Sequence, residues 1–240
     1  MPSLFSLAIL LVVFCPRVFA QNASVGSWNT INFKFARNEA WSVFAEAQLR
    51  SLQFYQHFHY YEFKAGFNCN IHPNAALALA AGSYQTYANG GNFRLPKNND
   101  EIRIWPQLIL FQEFGKLRTE QRFRAEMRFT SNGYRNRYRY RMGLALPLGK
   151  KKNGIQRFQL GLNNELFFTD REPYFERNRI ALTLQCKLSK SSAIQVGFLR
   201  QFDYKINDET GKDFIQIGYQ LDLFPAKEPI VEKGMNLNDN

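Results

Sequence analysis

Residues 117–148 read LRTEQRFRAEMRFTSNGYRNRYRYRMGLALPL, and their period-two alternation decides the fold class. In the first half Arg118, Glu120, Arg122, Arg124, Glu126 and Arg128 take one phase, while Leu117, Phe123, Ala125, Met127 and Phe129 take the other. In the second half Arg135, Arg137, Arg139 and Arg141 alternate with Tyr138, Tyr140, Met142, Leu144, Leu146 and Leu148. A strand sends successive side chains to opposite faces. Both halves are therefore strands with one apolar and one densely charged face. A water-soluble sandwich can carry the same pattern with its charges in solvent, so the rest of the chain has to discriminate.

The alternation recurs over residues 25–36, 40–52, 58–71, 75–88, 101–114, 117–130, 135–148, 155–168, 175–188, 192–205 and 212–224. Strands of soluble proteins usually run about 5–6 residues, and membrane-spanning strands need ~9–11. The segments are of the longer kind and predict an all-β, transmembrane antiparallel β-barrel of 10–12 strands with a charged Arg/Glu lumen. These segments number eleven, whereas bacterial outer-membrane barrels have even strand numbers. Either 40–52 opens a ten-stranded barrel, with residues 21–36 in the lumen or along the wall, or a missed strand makes twelve. Connections at 37–39, 72–74, 115–116, 149–154 and 189–191 are short. Those at 53–57, 89–100, 130–134, 169–174 and 206–211 are longer and rich in Asn, Asp, Gly and Pro. Short turns belong to the periplasmic side and long loops to the exterior, which places 89–100 (NGGNFRLPKNND) outside the cell.

The ends agree with a secreted barrel. Residues 4–14 (LFSLAILLVVF) have the length of a signal-peptide apolar run, and Val18-Phe19-Ala20 offers a cleavage site before Gln21. The alternative, an uncleaved anchor, is short of the ~20 apolar residues needed to span a bilayer. The expected organisation is a signal peptide at 1–20, an outer-membrane β-barrel at 21–224 and a disordered periplasmic tail at 225–240. The segment Tyr219-x-Leu221-x-Leu223-Phe224 resembles the aromatic-ended last strand by which outer-membrane barrels are assembled, although here the tail follows it. Aromatic residues make up 15% of the chain and the formal charge is +11. That charge suits nucleic acid, anionic lipid or anionic solutes without choosing among them. Cys69 and Cys186 fall on apolar phases and read as small hydrophobes, with a disulfide open in an oxidising compartment.

In a barrel the apolar phase faces lipid and the charged phase the lumen, since the reverse costs about 2–4 kcal/mol per arginine at mid-depth. The phases of Val43 to Leu49, Tyr61 to Phe67, Ile102 to Leu110, Leu160 to Phe168 and Ile180 to Leu184 then turn a single set of side chains inward. That set is Glu46, Arg50, Glu62, Arg103, Arg122, Arg124, Glu126, Arg137, Arg139, Arg141, Glu165, Arg177 and Arg179. Charges in a narrow interior must be paired, and arginine forks suit carboxylates bidentately. Two readings remain open: an ion-pair lattice that plugs the barrel, or a narrow passage or cavity favouring small anionic solutes.

Several motifs taken in order carry a resemblance. They are Gly26-x-Trp28, Glu46-x-Gln48-x-Arg50, Glu101-x-Arg103-x-Trp105-x-Gln107, Arg122-x-Arg124-x-Glu126-x-Arg128, Arg137-Tyr138-Arg139-Tyr140-Arg141, and Glu165-x-Phe167-Phe168 followed by Arg177-Asn178-Arg179. Over residues 24–224 the chain resembles domain-of-unknown-function family 2490. The resemblance implies an uncharacterised bacterial outer-membrane barrel and supplies no catalytic residues.

Signs of chemistry are few. His57 and His59, at i and i+2 on a strand, would share a face near Tyr55 and Tyr60, which suits a metal or a lipid-modifying base. The plainer reading is an interfacial polar–aromatic girdle. His72 precedes Pro73 in a turn. No G-x-S-x-G, H-E-x-x-H, C-x-x-C or P-loop pattern occurs. Trp28, Trp41, Trp105, Tyr84, Tyr87, Tyr174 and Tyr204 lie near strand ends and suit aromatic belts, or for several of them a core or lumen role; Trp105 sits on the inward phase. In YRNRYRYR (134–141) the strand period parts arginines from tyrosines, against single-stranded nucleic acid as a partner. The expectation is a non-enzymatic outer-membrane barrel, a small pore or a structural or binding protein, without cofactor or metal. Its partners would be outer-membrane lipid and the barrel-assembly machinery. A lipid-modifying enzyme and a secreted β-sandwich are the alternatives.

Overall fold

The computed structural model describes residues 24–36, 38, 40–151, 154–204 and 210–223. The expected signal peptide at 1–20, Phe224 and the tail at 225–240 lie outside the described residues. The described chain is all-β and contains no helix. Its strands are β1 (Gly26–Ala36), β2 (Trp41–Gln53), β3 (Gln56–His72), β4 (Ala75–Ala88), β5 (Arg94–Phe114) and β6 (Leu117–Thr130). There follow β7 (Gly133–Leu148), β8 (Phe158–Thr169), β9 (Phe175–Lys187), β10 (Ser192–Asp203) and β11 (Thr210–Leu223).

Each strand pairs antiparallel with the next, and the sheet closes on itself through β1 and β11. The closing pair is parallel, running from Gly26 opposite Phe214 to Phe35 opposite Leu223. The parity argument for ten or twelve strands therefore does not hold. Eleven strands close because one parallel ladder absorbs the odd strand, and 26–36 is part of the wall rather than a segment inside it. We call the end where β1 and β11 begin the upper end.

The expected alternation of short and long connections is also corrected. At the upper end β2 and β3 are joined by Phe54-Tyr55 alone, and β6 and β7 by Ser131-Asn132. The loop expected over 89–100 shrinks to 89–93, since β5 starts at Arg94. Arg94 pairs with Ala88, Lys97 with Tyr87 and Asp100 with Gln85, with register shifts along the way. This polar stretch extends the wall because its backbone, not its side chains, supplies the ladder. At the lower end the connection 149–157 is longer than these upper turns.

Side chains divide radially as the phase requires. Phe63, Phe67, Leu79, Ile102, Phe123 and Leu182 are exposed on the outer face, Phe67 at 62%. On the opposite phase Glu62, Glu101, Glu126, Arg128 and Arg137 are buried. Trp105 and Pro106 drop out of the β5–β6 ladder, where proline lacks an N–H to donate. Close approach fixes Gly66: a Cβ there would lie 2.4 Å from the Ala80 Cβ and 2.8 Å from the Phe44 ring.

Candidate functional site

The interior is built from registers that the alternation alone does not reveal. Between β6 and β7, Arg122 faces Arg141, Arg124 faces Arg139, Glu126 faces Arg137 and Arg128 faces Arg135. Like charges directly opposite one another are destabilising, so carboxylates must enter between them. Glu126 accepts hydrogen bonds from Arg137 Nε at 3.0 Å, Arg139 Nη1 at 2.5 Å and Arg124 Nη1 at 3.4 Å. Glu165 stands opposite Arg141 on one side and Arg179 on the other. Its Oε1 accepts from Arg122 Nη2 at 2.5 Å and Arg139 Nη2 at 2.8 Å. Arg141 is held by Glu120, and Arg124 also donates to Gln107 at 2.9 and 2.7 Å.

Toward the upper end two further carboxylates organise the cluster. Arg103 donates to both oxygens of Glu101, each at 2.8 Å. Arg128 grips the same carboxylate through Nε and Nη2, and Asn99 adds a bond at 3.0 Å. Glu176 accepts from Arg137 Nη1 at 3.0 Å. On the neighbouring wall Glu62 takes Arg50 at 3.1 Å, Lys64 at 2.6 Å and the Tyr60 hydroxyl. Glu46 takes the same Lys64 at 2.5 Å. Charge-assisted bonds of this kind are the strong ones, and excluding water makes each of them matter more.

Aromatic rings fill the space between guanidiniums. The Arg50 guanidinium lies 3.4 Å from the Trp28 centroid, and Arg103 lies 3.6 Å from that of Tyr84. Phe167, 1% exposed, has Arg139 at 4.6 Å and Arg179 at 4.7 Å, with Arg137 and Arg177 further out. Such contacts contribute about 0.5–2 kcal/mol each, more where water is excluded.

Every residue of the expected lumen set takes part. Arg177 pairs with Asp203, and Arg179, seated between the Trp28 and Phe167 rings, donates to Gln201 at 2.8 Å. Lys64 and Glu120, also on the charged phase, join the cluster, whereas sequence reasoning missed Glu101, Arg128, Glu176 and Asp203 as members of it. Glu101-x-Arg103 and Arg128 carried the signal, being in phase with accepted members, whereas Glu176 and Asp203 sit at strand ends where phase is hard to assign. Of the belt candidates, Trp28 and Tyr84 are buried in the interior, while Tyr87 packs with Tyr61 and Phe93 on the outward phase. Trp28 and Tyr84 are stacking partners of arginine in the interior. Trp41 and Tyr174 are exposed on the outside, and Trp105 is buried inside at 1% exposure.

The histidine pair does not share a regular face. His57 has φ of +57°, and the β2–β3 register shifts so that Phe58 faces Ser51 while Tyr60 faces Arg50. His59 is the extra residue of that bulge, and bulges re-aim side chains. Among the described residues no group of three or more His, Cys, Asp and Glu could hold a metal ion. Cys69 on β3 and Cys186 on β9 are free thiols.

No curated protein matches the chain. The family described as protein of unknown function (DUF2490) matches residues 25–212. That span starts beside β1, runs into β11 and contains almost all of the interior network, so the chain belongs to the family DUF2490.

Proposed function

We propose that this protein resides in the bacterial outer membrane after cleavage of residues 1–20, and that it serves there as a plugged, non-enzymatic barrel with a structural or binding role. The observation that carries the reading is radial inversion. Large apolar side chains such as Phe63, Phe67, Leu79 and Ile102 cover the outside, while Arg103, Arg128, Arg137 and their carboxylates are buried within. In water this arrangement would expose a wide apolar surface, far beyond the few hundred Å2 that soluble monomers usually tolerate. Acyl chains are the solvent that suits it. Outer-membrane lipid and the barrel-assembly machinery are the partners this reading requires.

The network favours a plug over an open anion passage. Its guanidiniums are held by carboxylates and covered by rings, so few are left to meet a moving ion. Membrane fractionation and heat-modifiable migration of the native protein test the location. A soluble, heat-insensitive protein would reject it. Planar-bilayer recording tests the plug. The wild type is expected to give no discrete steps and Arg139→Ala to introduce them, because that change removes the guanidinium that bridges Glu126 and Glu165. Steady anion-selective steps in the wild type would instead establish the small-pore reading.

A further inference from the structure

Above the network, at the upper end, the barrel carries a pocket of about 560 Å3. It is framed by the Ser131-Asn132 turn and the 170–174 connection, with Asn99 and Tyr204 completing its wall. The volume lies within the ~300–1,000 Å3 of small-molecule sites. Its base is the outermost layer of the plug: Arg135 and Glu176 line it, and Glu176 is anchored by Arg137 from below. The frame is tied down. Asp170 accepts from the backbone N–H and the side-chain amide of Asn136, which holds its carboxyl below the usual range. Arg171 Nη2 donates to the Tyr134 carbonyl at 3.1 Å.

Two features define what the pocket would accept. First, hydrogen-bonding capacity is left open at its base. Arg135 Nε has no acceptor and Glu176 Oε2 no donor, although both atoms are buried. Arg128 Nη1 approaches Glu176 Oε2 only to 3.7 Å. Buried polar atoms without partners are few in native proteins and call for one. Second, the lining mixes signs: Asp170, Glu172 and Glu176 stand among Arg135 and Arg171, beside the Tyr134 and Tyr204 rings. A phosphate or other single-sign ligand would meet as much repulsion as attraction there. A hydroxyl group both donates and accepts, so a neutral ligand with neighbouring hydroxyls could use an arginine and a carboxylate together. Its C–H faces could lie on the tyrosines.

We propose that this mouth pocket is a binding site for a neutral saccharide. The site goes beyond the membrane reading and is tested without it, on refolded barrel in an amine-oxide detergent that carries no sugar. Saturation-transfer NMR would be run with maltotetraose, cellotetraose, chitotetraose and galactotetraose as probes. Transfer to the ring protons of at least one is expected. Affinity should fall at least tenfold in Arg135→Ala and in Asn132→Trp, and stay unchanged in Lys116→Ala at the other end of the barrel. Asn132→Trp fills the pocket from an exposed turn and leaves the interior intact, so it decides the matter if Arg135→Ala does not fold. Absence of transfer to all four sugars, equal binding by the pocket variants, or displacement of the sugar by inorganic phosphate would each overturn the proposal. Fractionation decides the membrane reading separately.

Discussion

The two halves of the barrel interior share one wall and are filled in opposite ways. In the upper half Glu101, Glu126, Glu62 and Glu165 each gather two or more cations, with Trp28, Tyr84, Trp105 and Phe167 wedged among them. In the lower half the Glu120–Arg141 pair stands on β6 and β7, and the rest of the inward phase is largely small or uncharged, with Gly66, Ala76 and Ala78 on one side and Thr183, Gln185, Gln195, Gly218 and Gln220 on the other. There the glutamines are only half-buried, and Gln185 reaches Gln220 at 3.3 Å. The difference teaches that the strand count does not determine whether such a barrel is closed. Side-chain length and charge do, and here the multiply paired carboxylates and the rings are concentrated in one half.

Three substitutions test that contrast, in falling order of effect. Glu126→Ala removes the carboxylate shared by Arg124, Arg137 and Arg139, and breaking a buried pair costs about 3–5 kcal/mol. The urea midpoint of the barrel folded into vesicles should fall accordingly. A loss under about 1 kcal/mol would mean the upper network is not the stabilising half. Gly66→Val probes the lower half, where the new side chain meets the Ala80 Cβ and the Leu79 carbonyl oxygen at 2.7 Å. Overpacking costs about 1–3 kcal/mol, and an unchanged midpoint would show that the wall there yields. Gln185→Ala breaks one amide contact beside accessible space and should cost no more than about 1 kcal/mol. A larger loss would place the lower half under the same constraint as the upper, and the contrast would fail.

Much of this was legible locally, and the reasons are physical. Period two fixed the strands and their inward set because alternation is a property of neighbouring residues. The Arg122–Arg141 and Arg124–Arg139 pairings follow from a hairpin whose turn is only Ser131-Asn132. The grip of Arg128 on Glu101, and the ring of arginines from β7 and β9 around Phe167, depend on registers between segments whose alignment no local pattern encodes. Lys97 to Asp100 were read as loop because four polar residues in a row erase the alternation, although their backbone continues β5. Trp28 was left between a belt and the lumen because a tryptophan near a strand end looks the same whether it faces a bilayer or a guanidinium. The odd strand was visible as a failed count, and its resolution by a parallel ladder was not.

That parallel ladder has a further consequence. In a barrel closed by an antiparallel pair, the polypeptide enters and leaves the cylinder on the same rim. Here β1 starts at one rim and β11 finishes at the other. Gly26 stands on the rim that carries the mouth pocket, and Leu223 stands on the opposite rim. If the cylinder sits across a barrier, a single covalent chain addresses both compartments, and two different fusions could be displayed back to back by one molecule.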